Sequence, residues 1–387
     1  MLAQAWERLM RQSLSPLVIT VVIAGPALAQ ISQEWSRCLN EVGTHSFDAT
    51  IAACTSVIAS GKESASLAIA HFNRANAYDG KGDTDRAIAD YNKAIDLNPT
   101  EPDYYNNRGA AHRAKGDLDH AIGDYGKAIE LNSKHAQAYH NRGNAYRLRG
   151  AYDLAVNDYA RAIEINPKVA DFYFNRGLAY RAKGDNDRAI DDYSKAIEID
   201  SMHARAYANR GYANRSKGQY QRAIGDLTKA IEINPTDADT FNNRGYAYRR
   251  TGLLDQAIAD FTKAIELNPR LVNAYSNRGA AHEDQKAYDR AISDYSKAIE
   301  IDPSDANYYN GRAWAYFKAG NPRQGLPDAE KSLELRPEDA NTLDTRGHIL
   351  EALGLREAAI ADFRRALAKD PSIKDSKAAL QRLGASP

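Results

Sequence analysis

The sequence predicts an all-α protein built from repeated helical hairpins, and three observations predict it. Arg74, Arg108, Arg142, Arg176, Arg210, Arg244, Arg278, Arg312 and Arg346 follow one another at steps of 34 residues, with no insertion or deletion. Around each arginine, apolar, aromatic or small residues recur three or four apart, in two runs per step, which is helical spacing twice over. Glycine and proline punctuate these runs at fixed places. Units of this length cannot bury their apolar faces alone, so they stack into a solenoid.

The chain opens differently. Arg8 and Arg11 precede the apolar run PLVITVVIAG, and ALAQ follows it. A basic start, a short apolar stretch and a small-residue site are the pattern of an export signal. Residues 1–29 are therefore expected to be removed after Ala29, leaving Gln30 as the mature N-terminus. The run ends at Gly25 and Pro26, short of the roughly 20 apolar residues that a membrane span needs. The expectation is an exported, periplasmic protein with no membrane insertion after cleavage.

Residues 30–67 form an imperfect first hairpin. Their DATIAACTSVI matches DRAIADYNKAI of the first full repeat, with Cys54 where Tyr91 stands. Cys38 and Cys54 are the chain's 2 cysteines, and in an oxidising compartment so close a pair reads as one disulfide. Two buried thiols are the alternative.

Nine repeats then fill residues 68–373, beginning at Ala68, Pro102, Ala136, Ala170, Ala204, Ala238, Val272, Ala306 and Ala340. With positions numbered 1 to 34 within each, apolar or small residues fall at 1, 4, 8 and 11, and again at 20, 21, 24, 27 and 28. Position 15 is glycine in eight repeats, ending the first helix, and an acid or other polar residue at 18 suits the start of the second. Proline at 32, in seven repeats, stops the second helix.

Position 8 is glycine in seven repeats, deep inside the first helix, where glycine costs about 1 kcal/mol against alanine. Alanines at 20 and 27 account for it, since small residues let the two helices cross closely while tyrosines fill the surrounding gaps. The 23 tyrosines, against 8 phenylalanines and 3 tryptophans, are thus read as core. Repeat eight carries Pro322, Gly325 and Pro327 where its second helix should begin, so that helix is expected to start late. Residues 374–387, with IKDSKAALQRLG running into them, are expected to form a capping helix and tail.

An aromatic residue at position 4, glycine at 8, tyrosine at 11, alanine at 20, an aromatic at 24, alanine at 27 and proline at 32 resemble the tetratricopeptide repeat. The resemblance spans residues 68–373 and implies a right-handed superhelix of nine to ten hairpins whose first helices line a concave groove. One departure is consistent: position 7, usually leucine in that family, is arginine in all nine repeats, and position 23 is aspartate in all nine. These two are read as partners that pin one helix to another.

In the family, positions 2, 5, 6, 9, 12 and 13 tend to face the groove. Position 6 here is asparagine in repeats one to seven: Asn73, Asn107, Asn141, Asn175, Asn209, Asn243 and Asn277. An amide both donates and accepts, so a row of them suits the backbone of an extended peptide; solvated surface decoration is the alternative. It is similar to the asparagine ladder in the repeat arm of O-linked N-acetylglucosamine transferases. Position 12 is arginine in five successive repeats, Arg113, Arg147, Arg181, Arg215 and Arg249, and Lys115, Arg149, Lys183 and Lys217 at position 14 extend a basic stripe suited to carboxylates. Solvated helix ends that favour cations are the alternative.

Basic and acidic residues balance at 51 each, so nothing calls for nucleic acid. Chaperone-tail binders of the family need lysine at position 5, which no repeat has, and too few residues follow 373 for a catalytic domain. No catalytic, cofactor or metal-ligating constellation is expected. The function predicted is a non-catalytic protein–protein interaction scaffold of the cell envelope. The alternative is a receptor for one extended peptide or acidic polymer.

Overall fold

A computed structural model describes residues 33–40, 43, 45–61 and 64–386; the expected export signal and Gln30 terminus lie outside the described residues. These residues form 21 helices and no strand. The described residues divide into two compact units, one ending at Ala179 and the other beginning at Tyr180.

The first unit holds α1 (Gln33–Leu39), α2 (Phe47–Ala59), α3 (Ser64–Gly80), α4 (Thr84–Leu97), α5 (Pro102–Ala114), α6 (Leu118–Leu131), α7 (Ala136–Leu148), α8 (Tyr152–Ile165) and most of α9 (Ala170–Ala182). The second holds α10 (Asn186–Ile199), α11 (Ala204–Ser216), α12 (Tyr220–Ile233), α13 (Ala238–Arg250), α14 (Leu254–Leu267), α15 (Val272–Asp284), α16 (Tyr288–Ile301), α17 (Ala306–Lys318), α18 (Pro322–Leu335), α19 (Ala340–Ala352), α20 (Arg356–Lys369) and α21 (Lys374–Arg382). Within each unit consecutive helices pack on one another and first helices of successive repeats also touch. This is an α-solenoid.

The hairpin turn is set by glycine. Gly116 and Gly150 sit at φ +80°, a left-handed conformation that ends the preceding helix without Cβ strain. The second helix starts two residues later. Asp83, Asp117 and Asp185 cap it by accepting from the backbone N–H three residues on.

The glycine of position 8 has a specific occupant above it. A Cβ on Gly143 would lie 2.8 Å from Cε1 of Tyr159, and on Gly109 2.9 Å from that of Tyr125. In the second unit Phe261 and Phe363 press on Gly245 and Gly347 in the same way. The ring of position 24 therefore lies directly on the first helix, and Tyr125 and Tyr159 are fully buried. Repeat eight exchanges the volumes: Ala313 stands for the glycine, and Ala329 for the ring. Here Gly325 takes the close contact instead, since a Cβ on it would meet the Ala313 carbonyl oxygen at 2.7 Å.

The arginines of position 7 tie the array together. Arg142 donates to both carboxylate oxygens of Asp158 at 2.8 Å each, joining α7 to α8. Arg108 and Asp124 do the same across α5 and α6, and Arg244 and Asp260 across α13 and α14. The remaining guanidinium nitrogen reaches back to the previous repeat. Arg108 Nη1 donates to Asn92 at 2.7 Å, Arg210 to Ser194 at 2.9 Å and Arg278 to Thr262 at 3.0 Å. One planar cation thus clamps three helices, which leucine cannot do.

Both ends of the array are held by specific contacts. A disulfide joins Cys38 to Cys54 across α1 and α2, with Val57 and Ala70 packed beside it. At the other end Ala379 and Leu380 of α21 cover Ile360, Phe363 and Leu367 of α20. The delayed start expected for α18 does not occur. Pro322 is its first residue, the register of every other second helix, because a proline at that position gives up an N–H that has no helical partner anyway. Pro327 lies inside the helix and removes one backbone donor there.

Candidate functional site

Because first helices of neighbouring repeats touch, positions 5, 6, 9 and 12 of one repeat meet those of the next. The asparagines of position 6 are all half-buried, and several are committed sideways. In the first unit Asn107 donates to Asn76 at 3.0 Å, Asn141 to Asn106 at 3.0 Å, and Asn175 lies 3.1 Å from the His140 ring. In the second unit Asn277 donates to Asn242 at 3.0 Å, and Asn209 donates to its own helix at the Arg205 carbonyl. Asn73 and Asn243 have no side-chain hydrogen bond among the described residues. The row is thus partly an inter-repeat seam, with the amide oxygen and the second N–H of each amide left to meet a ligand at Asn209 and Asn277.

The arginines of position 12 divide by environment. In the first unit Arg113 and Arg147 lie beside the buried hydroxyls of Tyr125 and Tyr159. Burial pushes those hydroxyls up to about 12, against the pull of the guanidiniums. In the second unit tyrosines occupy position 9 of repeats five and six, and cations stack on them. The Arg181 guanidinium lies 4.9 Å from the Tyr212 ring centre, and Arg215 lies 4.7 Å from Tyr212 and 4.7 Å from Tyr246. Neither Arg181 nor Arg215 has an ion pair or hydrogen bond among the described residues, so their N–H edges are unspent. Arg249 ends the row, bonded to Asp284 at 2.6 Å.

The position-14 cations leave the stripe. Lys115 pairs with Asp85 at 2.5 Å and Arg149 with Asp119 at 2.8 Å, each the position-18 acid of the preceding repeat, and Lys217 pairs with Asp187. Acid and base sit 30 residues apart in sequence, one solenoid step less one helical turn. The sequence reading, which treated the position-18 acid only as a helix start, missed this pairing.

Two further features lie on the same face, and the second of them was missed. Glu283 stands at position 12 of repeat seven, and burial pushes its carboxyl up to about 7, opposed by the Tyr295 hydroxyl and Arg249. In repeats eight and nine Trp314, Phe317 and His348 form an aromatic cluster, with Trp314 and Phe317 ring centres 5.2 Å apart and Phe317 and His348 5.8 Å apart. Their sequence signal was available: positions 9 and 12 are Tyr–Arg in repeats five and six and Trp–Phe in repeat eight. The lane of the second unit therefore runs from cationic, through acidic, to aromatic. A cluster of metal-ligating side chains, His112, Asp117 and His120, occurs at the hairpin turn of repeat two.

These features define a class, a helical-hairpin solenoid that presents a chemically graded face. Family models described as TPR repeat and tetratricopeptide repeat match residues 68–101, 111–147, 143–181, 177–215, 211–252, 238–271, 272–305 and 310–374. The chain belongs to the tetratricopeptide repeat family. Such proteins are in general non-catalytic scaffolds that bind protein or peptide partners. No curated protein matches the sequence. Among solved structures, a tetratricopeptide repeat protein from Parabacteroides merdae is 23% identical over 64% of this chain and 98% of its own, with a TM-score of 0.52. Cut9–Hcn1 of the APC/C hetero-tetramer is 13% identical over 91% of this chain and 97% of its own, with a TM-score of 0.50. YrrB, described as a TPR protein with an unusual peptide-binding site, is 25% identical over 48% of this chain and 95% of its own, with a TM-score of 0.42.

Proposed function

We propose that this protein is an envelope scaffold whose first-helix face holds an extended, carboxylate-bearing segment of a partner protein. One observation carries the reading: the alternation Arg181, Tyr212, Arg215, Tyr246, in which each stacked guanidinium keeps its N–H edge unspent. Tyrosine faces fix a guanidinium plane by cation–π attraction, and a fixed planar fork is the geometry that binds a carboxylate through two hydrogen bonds. Asn209 and Asn243, from the same repeats, supply amides for the backbone between carboxylates. In the first unit Arg113 and Arg147 continue the row of position-12 cations, set beside tyrosine hydroxyls instead of stacked on rings. The periplasmic location rests on the leader pattern of residues 1–29 together with the bridged cysteines.

The test is a binding titration of the mature chain with fluorescein-labelled oligoglutamate and oligolysine peptides at low and high salt. Oligoglutamate should bind and oligolysine should not. Affinity should fall with salt, since exposed charges more than about 10 Å apart are screened at 0.1 M. Arg181→Gln and Arg215→Gln should each weaken it. Equal binding of both peptides, or no effect of the two substitutions, would sink the carboxylate reading. The second reading is a receptor for one peptide or acidic polymer. Crosslinking in envelope extract separates the two, several folded partners favouring the scaffold and a single ligand class the receptor.

A further inference from the structure

In three repeats an aspartate caps the second helix at position 16, and there positions 11 and 19 stack across the hairpin turn. In repeat one Arg86 lies 4.5 Å over the Tyr78 ring and bonds Asp83 at 2.6 Å. In repeat four Arg188 lies 4.5 Å over Tyr180 and bonds Asp185. Repeat two keeps the aspartate, Asp117, but replaces both stacking partners with histidine. The His112 and His120 rings stack at 5.1 Å and 22°. Two imidazoles thus stand beside the carboxylate where repeats one and four place a phenol and a guanidinium.

We propose that His112, Asp117 and His120 bind a divalent transition metal, with zinc the ion whose preferences the set fits. The atoms are close enough. His120 Nδ1 lies 2.7 Å and His112 Nδ1 3.6 Å from Asp117 Oδ2, and the three groups offer ligand atoms within 4.8 Å of one another. A tetrahedral ion with bonds of about 2.0–2.2 Å needs shifts of no more than an ångström or so. His120 can supply them, since its side chain is 73% exposed. His112 is the more fixed ligand, on α5 with 17% of its side chain exposed. Asp117 is held in place by accepting from the His120 backbone N–H, the kind of outer bond that orients a ligating carboxylate. Two imidazoles and one carboxylate suit zinc and its borderline neighbours better than magnesium or calcium. Three protein ligands leave a fourth position open to water or to a side chain of a partner, so the site has the donor count of an exchangeable ion rather than a structural one.

The experiment is a zinc chloride titration by calorimetry on the full mature chain, in a buffer that does not bind metal, with melting temperature followed in parallel. Two variants accompany it. His112→Tyr with His120→Arg rewrites the turn into the trio that repeat one already folds with, and His120→Ala alters one exposed side chain. One zinc per wild-type chain is expected, with a rise in melting temperature on binding. Each variant should lose at least the roughly 10–100-fold in affinity that even outer-shell changes around a metal cost. If the double variant does not fold, His120→Ala decides. No saturable binding by the wild type, or unchanged binding in His120→Ala, overturns the proposal.

Discussion

Arg142 shows what a single residue does in this array. Its guanidinium neutralises Asp158, which is 5% exposed, and the same side chain type recurs one step away on either side. Removing one partner of such a pair leaves a buried carboxylate without its cation, a loss of about 3 kcal/mol. Arg142→Ala should therefore lower the denaturant midpoint markedly, whereas Arg215→Ala, which has no ion pair among the described residues, should leave it nearly unchanged and alter only binding. Equilibrium unfolding of the two variants checks this. Glu283 gives a second prediction. Its carboxyl ordinarily titrates near 4.5 and is held at about 7 in the fold, so between these values the folded chain binds more protons than the unfolded one. Stability must then fall as pH rises from about 4.5 through 7. Glu283→Gln should flatten that fall and raise the melting temperature at pH 8. The partnership of positions 7 and 23 was legible in the sequence because both residues recur in all nine repeats. The backward bond to position 25 was not, since asparagine, threonine and serine share that role and no single letter recurs.

At the scale of the helical hairpin, repeat eight stands apart. It lacks the buried ring at position 24, its second helix contains Pro327, and Ser332 replaces alanine at position 27, bonded at 2.9 Å to the Ala306 carbonyl. The helix still begins in register, so the defect is in packing and backbone bonding rather than in length. Backbone amides of α17 and α18 should therefore exchange faster than those of the hairpins on either side, read by hydrogen exchange at the peptide level. Protection there equal to or above that of repeat seven would contradict this. The helices themselves were legible from periodicity, with glycine and proline marking their ends. The start of α18 was misjudged because proline was weighed as a breaker without regard to its place in the first turn, where it is harmless.

For the whole molecule, the tetratricopeptide assignment was readable because nine in-phase copies act as their own alignment. The face that meets a partner was less so. Which position-6 amides are spent on a neighbour, and which position-12 cations are stacked and free, depends on what positions 5 and 9 of the adjacent repeat carry. That dependence joins residues about 31 to 35 apart, and no motif within one repeat expresses it. The central claim is that partners bind along the first helices. It is tested most directly by placing a photo-crosslinking amino acid at Tyr212 and Tyr246 on the first helices, and at Gln221 and Lys229 on the exposed surface of α12, in cells that make the protein. Adducts that form at Tyr212 and Tyr246 and are absent at Gln221 and Lys229 are the predicted result; adducts confined to Gln221 and Lys229, or equal at all four, would contradict the account.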